Sequence, residues 1–549
     1  MAGDGLGDET IGAPDAGAGW RDTRPAERGL AGGTAGTPGP MAPRRAPAHV
    51  SRTDAGWVAA LAGVAAFAAI GVSRSLFPRY SANRDENVYV QFGELLARGR
   101  VTLPPSRSPF RPWASGVVDG RIVMKYTPPW PAVIGAARAV SGTPRLALAL
   151  SAAAATLAVY VLAREVVERR SSAVVATAIA VASPLFVVQS GTYLPYLFGL
   201  ALCAGACAGL LAALRREGSA PAAVAGVLAS LAFFARPFDA AVTIGPFALL
   251  VAVRAWRDAK PHARRAAGAF VLGALPGLLA AGAYDWYTMG SPLRLPFTVT
   301  GSSDGFGFGR RGVFDSSTVP FRFGDGLAGL GTNLRWLPSW TFGGVVTLGL
   351  ALWGASCAFR RGRPAEARVL ASWLVLVPVA LVPFWGAWAM SHNWPGVQLL
   401  GPFYHLPVLV PIAVFGADRL VALFVRSRPL GALTVVAMLA LTAVAIPDKV
   451  DANRRRTDEY ARAERAVDTA VAGATAVVFL PYRGDSGFLD LLPSRTNPPD
   501  LDQRVLYAED RGRDADLALL AAFPGRRGYV LDYTAPDGGR PAAYEVRPL

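Results

Sequence analysis

Apolar runs close to the length of a bilayer-crossing helix alternate with short arginine-bearing breaks from residue 55 to residue 446. A helix needs about 20 predominantly apolar residues to cross the ~30 Å hydrocarbon core of a membrane. The pattern predicts eleven spans, at 55–72, 146–166, 171–189, 196–214, 221–236, 238–254, 266–285, 341–358, 368–388, 402–424 and 429–446. Before the first run, residues 1–53 are rich in Gly, Ala and Pro and carry no apolar period, which predicts a disordered tail. The long preamble makes the first run a retained anchor rather than a cleaved leader. After the last run, residues 451–471 are charged and helix-like, while TAVVFLP (475–481) and RGYVLDY (527–533) read as strands. They predict a small α/β domain over 447–549.

Arginine placement orients the spans. With the N-terminus inside, the short loops holding Arg164/Arg169/Arg170, Arg215/Arg216, Arg254/Arg257/Lys260/Arg264/Arg265, Arg360/Arg361/Arg363/Arg368 and Arg426/Arg428 all face the cytoplasm. That is the bias expected of cytoplasmic loops. Three long pieces then lie outside: 73–145, 286–340 and the segment from 447. The predicted fold class is a polytopic α-helical membrane protein, a transmembrane domain over 54–446 followed by an extracytoplasmic α/β domain.

Composition agrees. The 549 residues are 52% hydrophobic and only 17% charged, against about a quarter charged in soluble domains, and the mean hydropathy is +0.32. The net charge of +16 is nearly all arginine, since Lys125, Lys260 and Lys449 are the only lysines. Those charges punctuate apolar runs rather than form a basic face, so nucleic acid is not a predicted partner. Cys203, Cys207 and Cys357 lie in apolar runs and read as packing residues. No His or Cys cluster has the spacing of a metal site; no cofactor is indicated, and a divalent metal is left open.

Candidate chemistry gathers at the outer face. Asp85 and Glu86, in YSANRDENVYVQFGELLARG (80–99), stand at the start of a helical pattern. Acids there complement the helix dipole, or one of them accepts a proton from an attacking hydroxyl. Downstream, DGRIVMKYTPPWP brings Lys125 and Tyr126 to the membrane boundary. The lysine is either a snorkelling anchor or a phosphate ligand. Arg236, in FFARPFD, either pairs with Asp239 or contacts a leaving phosphate. Tyr193, His392, Asn393, Trp394 and His405 offer rings and hydrogen-bonding groups suited to a sugar or an acceptor. GFGFGRRG (305–312) is not a dinucleotide loop, because no strand precedes it.

An acid pair in the first outer loop followed by GRIVMKYTPPWP resembles the first loop of GT-C glycosyltransferases. The likeness is to the family 39 branch of protein O-mannosyltransferases and aminoarabinose transferases. ASPLFVVQSGTYLPYLFGLAL (182–202), LASLAFFARPFDAAVTIGP (228–246), YTMGSPLRLPF (287–297), GFGFGRRGVF (305–314) and GPFYHLPVLVPIAVFGADRL (401–420) continue it in order. The resemblance implies an inverting membrane transferase that takes a sugar from a polyprenyl-phosphate-linked donor at the outer face. Its acceptor would be a hydroxyl of an envelope glycan, lipid or protein. It implies Asp85 as general base with Glu86 beside it, and Lys125, Tyr126 and Arg236 near the donor phosphate. Two other classes compete: a secondary transporter, and a non-catalytic scaffold with a wall-binding tail. The internal repeats common in transporters are not seen.

Overall fold

The computed structural model describes residues 52–257, 261–360, 364–481, 492–534 and 543–549. The predicted tail falls outside these residues up to position 51, as do Lys260, Arg361 and Arg363. The described chain is mostly helical. Seven helices are long and apolar enough to cross a membrane: Thr53–Ser75, Arg145–Val166, Tyr196–Arg216, Pro237–Arg257, Pro261–Met289, Phe403–Arg426 and Arg428–Val471. Two bent pairs, Arg170–Ala182 with Pro184–Ser190 at 61° and Phe323–Trp340 with Gly344–Ala358 at 108°, bring the number to nine if each is one broken span.

Eleven spans are therefore not found among the described residues, and prolines and glycines account for much of the difference. Pro184 divides the expected span at 171–189, because proline lacks the N–H that the helix interior requires. The expected span at 341–358 starts only after the left-handed Gly343. The expected span at 368–388 closes as the 16-residue helix Ala365–Ala380. Val382 precedes Pro383, and a residue before proline is driven out of the helical region. Ala220–Ala235 is apolar but has only 16 residues.

The two ends of the bundle differ in chemistry. At one end, the arginine-bearing helix termini are tied by buried acids: Arg215 lies 3.1 Å from Glu165, and Arg254 lies 3.0 Å from Glu366. At the other end, the loop between Ser75 and Arg145 folds into its own small structure. It contains the helix Asp85–Ala97, three short antiparallel strands (Thr102–Leu103, Ser115–Val118 and Arg121–Met124) and the helix Pro129–Ser141. An Asp119–Gly120 turn, positive in φ at both residues, joins the second strand to the third. This is the turn that Asp-Gly favours in a two-residue hairpin. The third strand ends at Met124 and delivers Lys125, whose N–H donates to the Ala114 carbonyl at 3.0 Å.

The helices Asp85–Ala97 and Pro129–Ser141 cross almost backbone to backbone. A Cβ on Gly93 would stand 2.7 Å from the Pro131 carbonyl oxygen, and one on Gly135 would stand 2.3 Å from that of Gly93. Glycine at both positions therefore sets how closely Asp85's helix can seat.

Beyond the bundle, the helix Arg428–Val471 runs 44 residues without a break. It leads into a four-stranded sheet in the order Val505–Glu509, Ala476–Leu480, Arg527–Thr534, Ala543–Pro548. The first three strands pair in parallel and the last is antiparallel. Ala476–Leu480 is buried at all five positions, as a continuous apolar run predicts for a central parallel strand. The C-terminal segment packs on the first loop. Asn87 Nδ2 donates to the Pro493 carbonyl at 2.9 Å, Arg100 pairs with Asp500 at 2.8 Å, and Asn497 Nδ2 donates to the Phe110 carbonyl at 3.3 Å. Thr457 on the long helix donates to the Leu76 carbonyl at 2.9 Å, and Arg79 pairs with Glu464 at 2.6 Å.

Candidate active site

Asp85 opens its helix, and its backbone N–H donates to Asn83 Oδ1 at 3.0 Å. The helix N-terminus thus favours a carboxylate here. The side chain is half-buried, and the Tyr126 hydroxyl stands close enough to its carboxylate to favour the charged form. Burial pushes the Asp85 pKa above the ordinary carboxylate range, while Lys125 and the Tyr126 hydroxyl oppose that shift.

Glu86 is built differently. It is fully buried, and its two oxygens accept the backbone N–H groups of Ser81 at 2.8 Å and Tyr193 at 2.7 Å. Burial nevertheless pushes its pKa up to about 7. With both oxygens engaged, Glu86 joins the first loop to the segment between the helices Pro184–Ser190 and Tyr196–Arg216. Tyr193 takes part through its backbone: its carbonyl also accepts from Trp130 Nε1 at 2.6 Å, and its ring packs edge-on to Tyr80.

Lys125 is buried and ion-paired with Asp304, which comes from the second long loop. The other oxygen of Asp304 accepts Trp385 Nε1 at 2.9 Å. Tyr126, next in sequence, stacks on Tyr89 with ring centroids 4.3 Å apart. Arg84 lies over the Trp113 ring at 3.7 Å.

Arg236 sits between Ala220–Ala235 and Pro237–Arg257, pairs with Asp239, and lies over the Tyr196 ring at 4.2 Å. Tyr196 in turn packs against Phe403 and Tyr404. Tyr89, Tyr196 and Tyr404 each lie within electrostatic reach of both Asp85 and Arg236. Asp85, Lys125 with Tyr126, and Arg236 are thus drawn to one tyrosine-lined locus by three separate segments of the chain.

The remaining candidates lie elsewhere. His392 and Asn393 are exposed at the end of the helix Trp385–His392, and His392 stacks on Trp388. Trp394 is half-buried beside Gly396. His405 is buried and neither ring nitrogen has a hydrogen-bond partner; the side chain within electrostatic reach of Asp85 belongs to its neighbour Tyr404. Asp304 and Trp385 escaped the sequence reading. Asp304 is 179 positions from Lys125, and a lone acid in a Gly- and Ser-rich loop gives no pattern. Among the described residues, no three His, Cys, Asp or Glu side chains gather as metal ligands.

No protein-family model and no curated protein matches the sequence. Solved structures do. ArnT from Cupriavidus metallidurans bound to undecaprenyl phosphate aligns with a TM-score of 0.53 at 11% identity, over 89% of this chain and 98% of that one. The same protein in its apo state gives 0.50 at 13% identity, over 87% and 93%. The arabinofuranosyltransferase AftD from Mycobacteria gives 0.51 at 17% identity, over 91% of this chain and 37% of that one.

Proposed function

This chain has the GT-C glycosyltransferase fold, and from that premise we propose that it transfers a sugar from a polyprenyl-phosphate-linked donor to an acceptor hydroxyl at the outer membrane face. A fold hosts many functions, so the proposal rests on the site. Its main support is the convergence of Asp85, Lys125, Tyr126 and Arg236 on one locus.

In the proposed step, Asp85 takes the proton of the acceptor hydroxyl as that oxygen bonds to the sugar's anomeric carbon. The bond from that carbon to the phosphate oxygen breaks, and its electron pair stays on the phosphate. A single displacement from the opposite face inverts the anomeric centre. Lys125 and Arg236 meet the negative charge that grows on the leaving phosphate, where preorganised donors contribute most, while Tyr126 supports the charged form of Asp85. Glu86 holds the Asp85 helix in place. Exposed His392 and Asn393 suit an incoming acceptor rather than the reacting centre.

The outer-face placement is supported by the arginine-bearing helix ends, which cluster away from the first loop. A reporter that matures only outside the cytoplasm is expected to work when fused at Leu549 and to fail when fused after Arg216. A silent fusion at Leu549 would reverse the orientation.

The reaction itself is tested by incubating purified protein with polyprenyl-phosphate-linked sugars and envelope acceptors, following release of polyprenyl monophosphate by mass. Release is expected, with kcat/KM falling as pH drops through a pKa above the ordinary ~3.9 of an aspartate. Only the ionised carboxylate can accept the proton, so activity is held above that pKa and lost below it. Tyr126→Phe removes a hydroxyl that favours the charged form, and it is expected to move this acid limb up by about one pH unit. No release from any donor would favour the scaffold reading. An unmoved limb in Tyr126→Phe would take the base role away from Asp85.

A further inference from the structure

The Lys125–Asp304 pair raises a problem for a phosphate site, because the ammonium already has an anion. Both side chains are about a tenth exposed, at 9% and 11%, so water screens the pair little. Asp304 is also anchored: Trp385 Nε1 holds its Oδ1 at 2.9 Å while Oδ2 accepts from Lys125 Nζ. The carboxylate therefore stays at its post whichever way the lysine leans. An ammonium has three N–H donors and can give one to Asp304 and another to a phosphate at the same time.

This inference rests on the donor reading above. The donor is a phosphodiester with one negative charge. When the bond to the anomeric carbon breaks, the phosphate keeps the electron pair and leaves as a monoester carrying about −1.5 to −2. A lysine with no other anion would grip that product far more tightly than the donor and delay its departure. An anchored carboxylate competes for the lysine at every stage.

We propose that Asp304 is a positioning residue for product release: it shares Lys125 with the phosphate during transfer and takes the ammonium back as polyprenyl monophosphate leaves. Binding of undecaprenyl monophosphate to purified wild type, Asp304→Asn, Lys125→Ala and the double variant tests this. Asparagine keeps the size of the side chain and an oxygen for Trp385, so the fold has little to lose. Asp304→Asn is expected to bind the monophosphate roughly tenfold more tightly, the worth of one charge-assisted hydrogen bond. Its kcat should fall because product release slows, while KM for the donor stays level or drops. Asp304→Glu, which restores the charge, should return both towards wild type, and Asp304→Asn should add nothing once Lys125 is alanine.

Unchanged or weaker product binding in Asp304→Asn overturns the proposal. So does an equal gain without Lys125. A wild type with no saturable affinity for the monophosphate would instead remove the donor reading itself, and this role with it.

Discussion

Asp85→Asn is expected to slow turnover of a polyprenyl-phosphate-linked donor by about 10²–10⁴-fold, the usual share of general-base catalysis. Donor affinity and thermal stability should stay close to wild type. Asparagine fills the same space, can still accept from a neighbouring hydroxyl and still suits a helix start. What it lacks is the basic lone pair that removes the acceptor's proton. Glu86→Gln should show the opposite profile. Its amide can accept only one of the two N–H groups that Glu86 now satisfies, from Ser81 and Tyr193. The stranded buried donor costs about 1–3 kcal/mol, so the loss appears in the melting temperature and only secondarily in rate. Wild-type turnover by purified Asp85→Asn would end the catalytic assignment. A larger rate loss in Glu86→Gln at full stability would move the base one residue along the chain.

Arg236→Ala is the second variant with a large expected effect, and it needs a companion to be read. Arg236 and Asp239 are paired with side chains only 15% and 11% exposed. Removing one member of a buried pair costs about 3–5 kcal/mol, because the other charge is left without compensation. The single variant should therefore express poorly. In Arg236→Met with Asp239→Leu no charge is stranded, and folding should recover. If Arg236 also contacts the donor phosphate, kcat/KM stays about 10²-fold below wild type in this folded double variant, as for a lost charge-stabilising group. Recovery of turnover together with folding would leave Arg236 a structural role alone.

The sequence carried the bundle because apolar length is a local property. Every expected span contains a helix, and the runs at 146–166 and 196–214 became Arg145–Val166 and Tyr196–Arg216. Counting was harder, because a proline or glycine inside an apolar run leaves its hydropathy unchanged while breaking the helix, as at Pro184 and Gly343. The candidate site was legible where its residues stand together, at Asp85–Glu86 and Lys125–Tyr126, since neighbours in sequence are neighbours in space. It was illegible where folding brings distant loops together. Nothing local marks Asp304 as the partner of Lys125, Trp385 as the anchor of Asp304, or Tyr404 rather than His405 as the residue within electrostatic reach of Asp85. The different surroundings of two adjacent acids also needed the structure, because only there do the Ser81 and Tyr193 amides appear opposite Glu86.

At 1.5 Å per residue the 44-residue helix Arg428–Val471 is about 66 Å long, roughly twice the ~30 Å apolar thickness of a bilayer. It behaves as a ruler as well as an anchor. Thr457 and Glu464 are graduations on it, meeting Leu76 and Arg79 at fixed heights. Inserting one residue below them would raise both by about 1.5 Å and rotate them about 100°, out of phase with the loop they fasten. Grafting a different C-terminal sheet onto this bundle is therefore a matter of helical phase. A splice beyond Val471 keeps the register with the first loop, whereas one at residues 446–447 cuts the ruler in the middle.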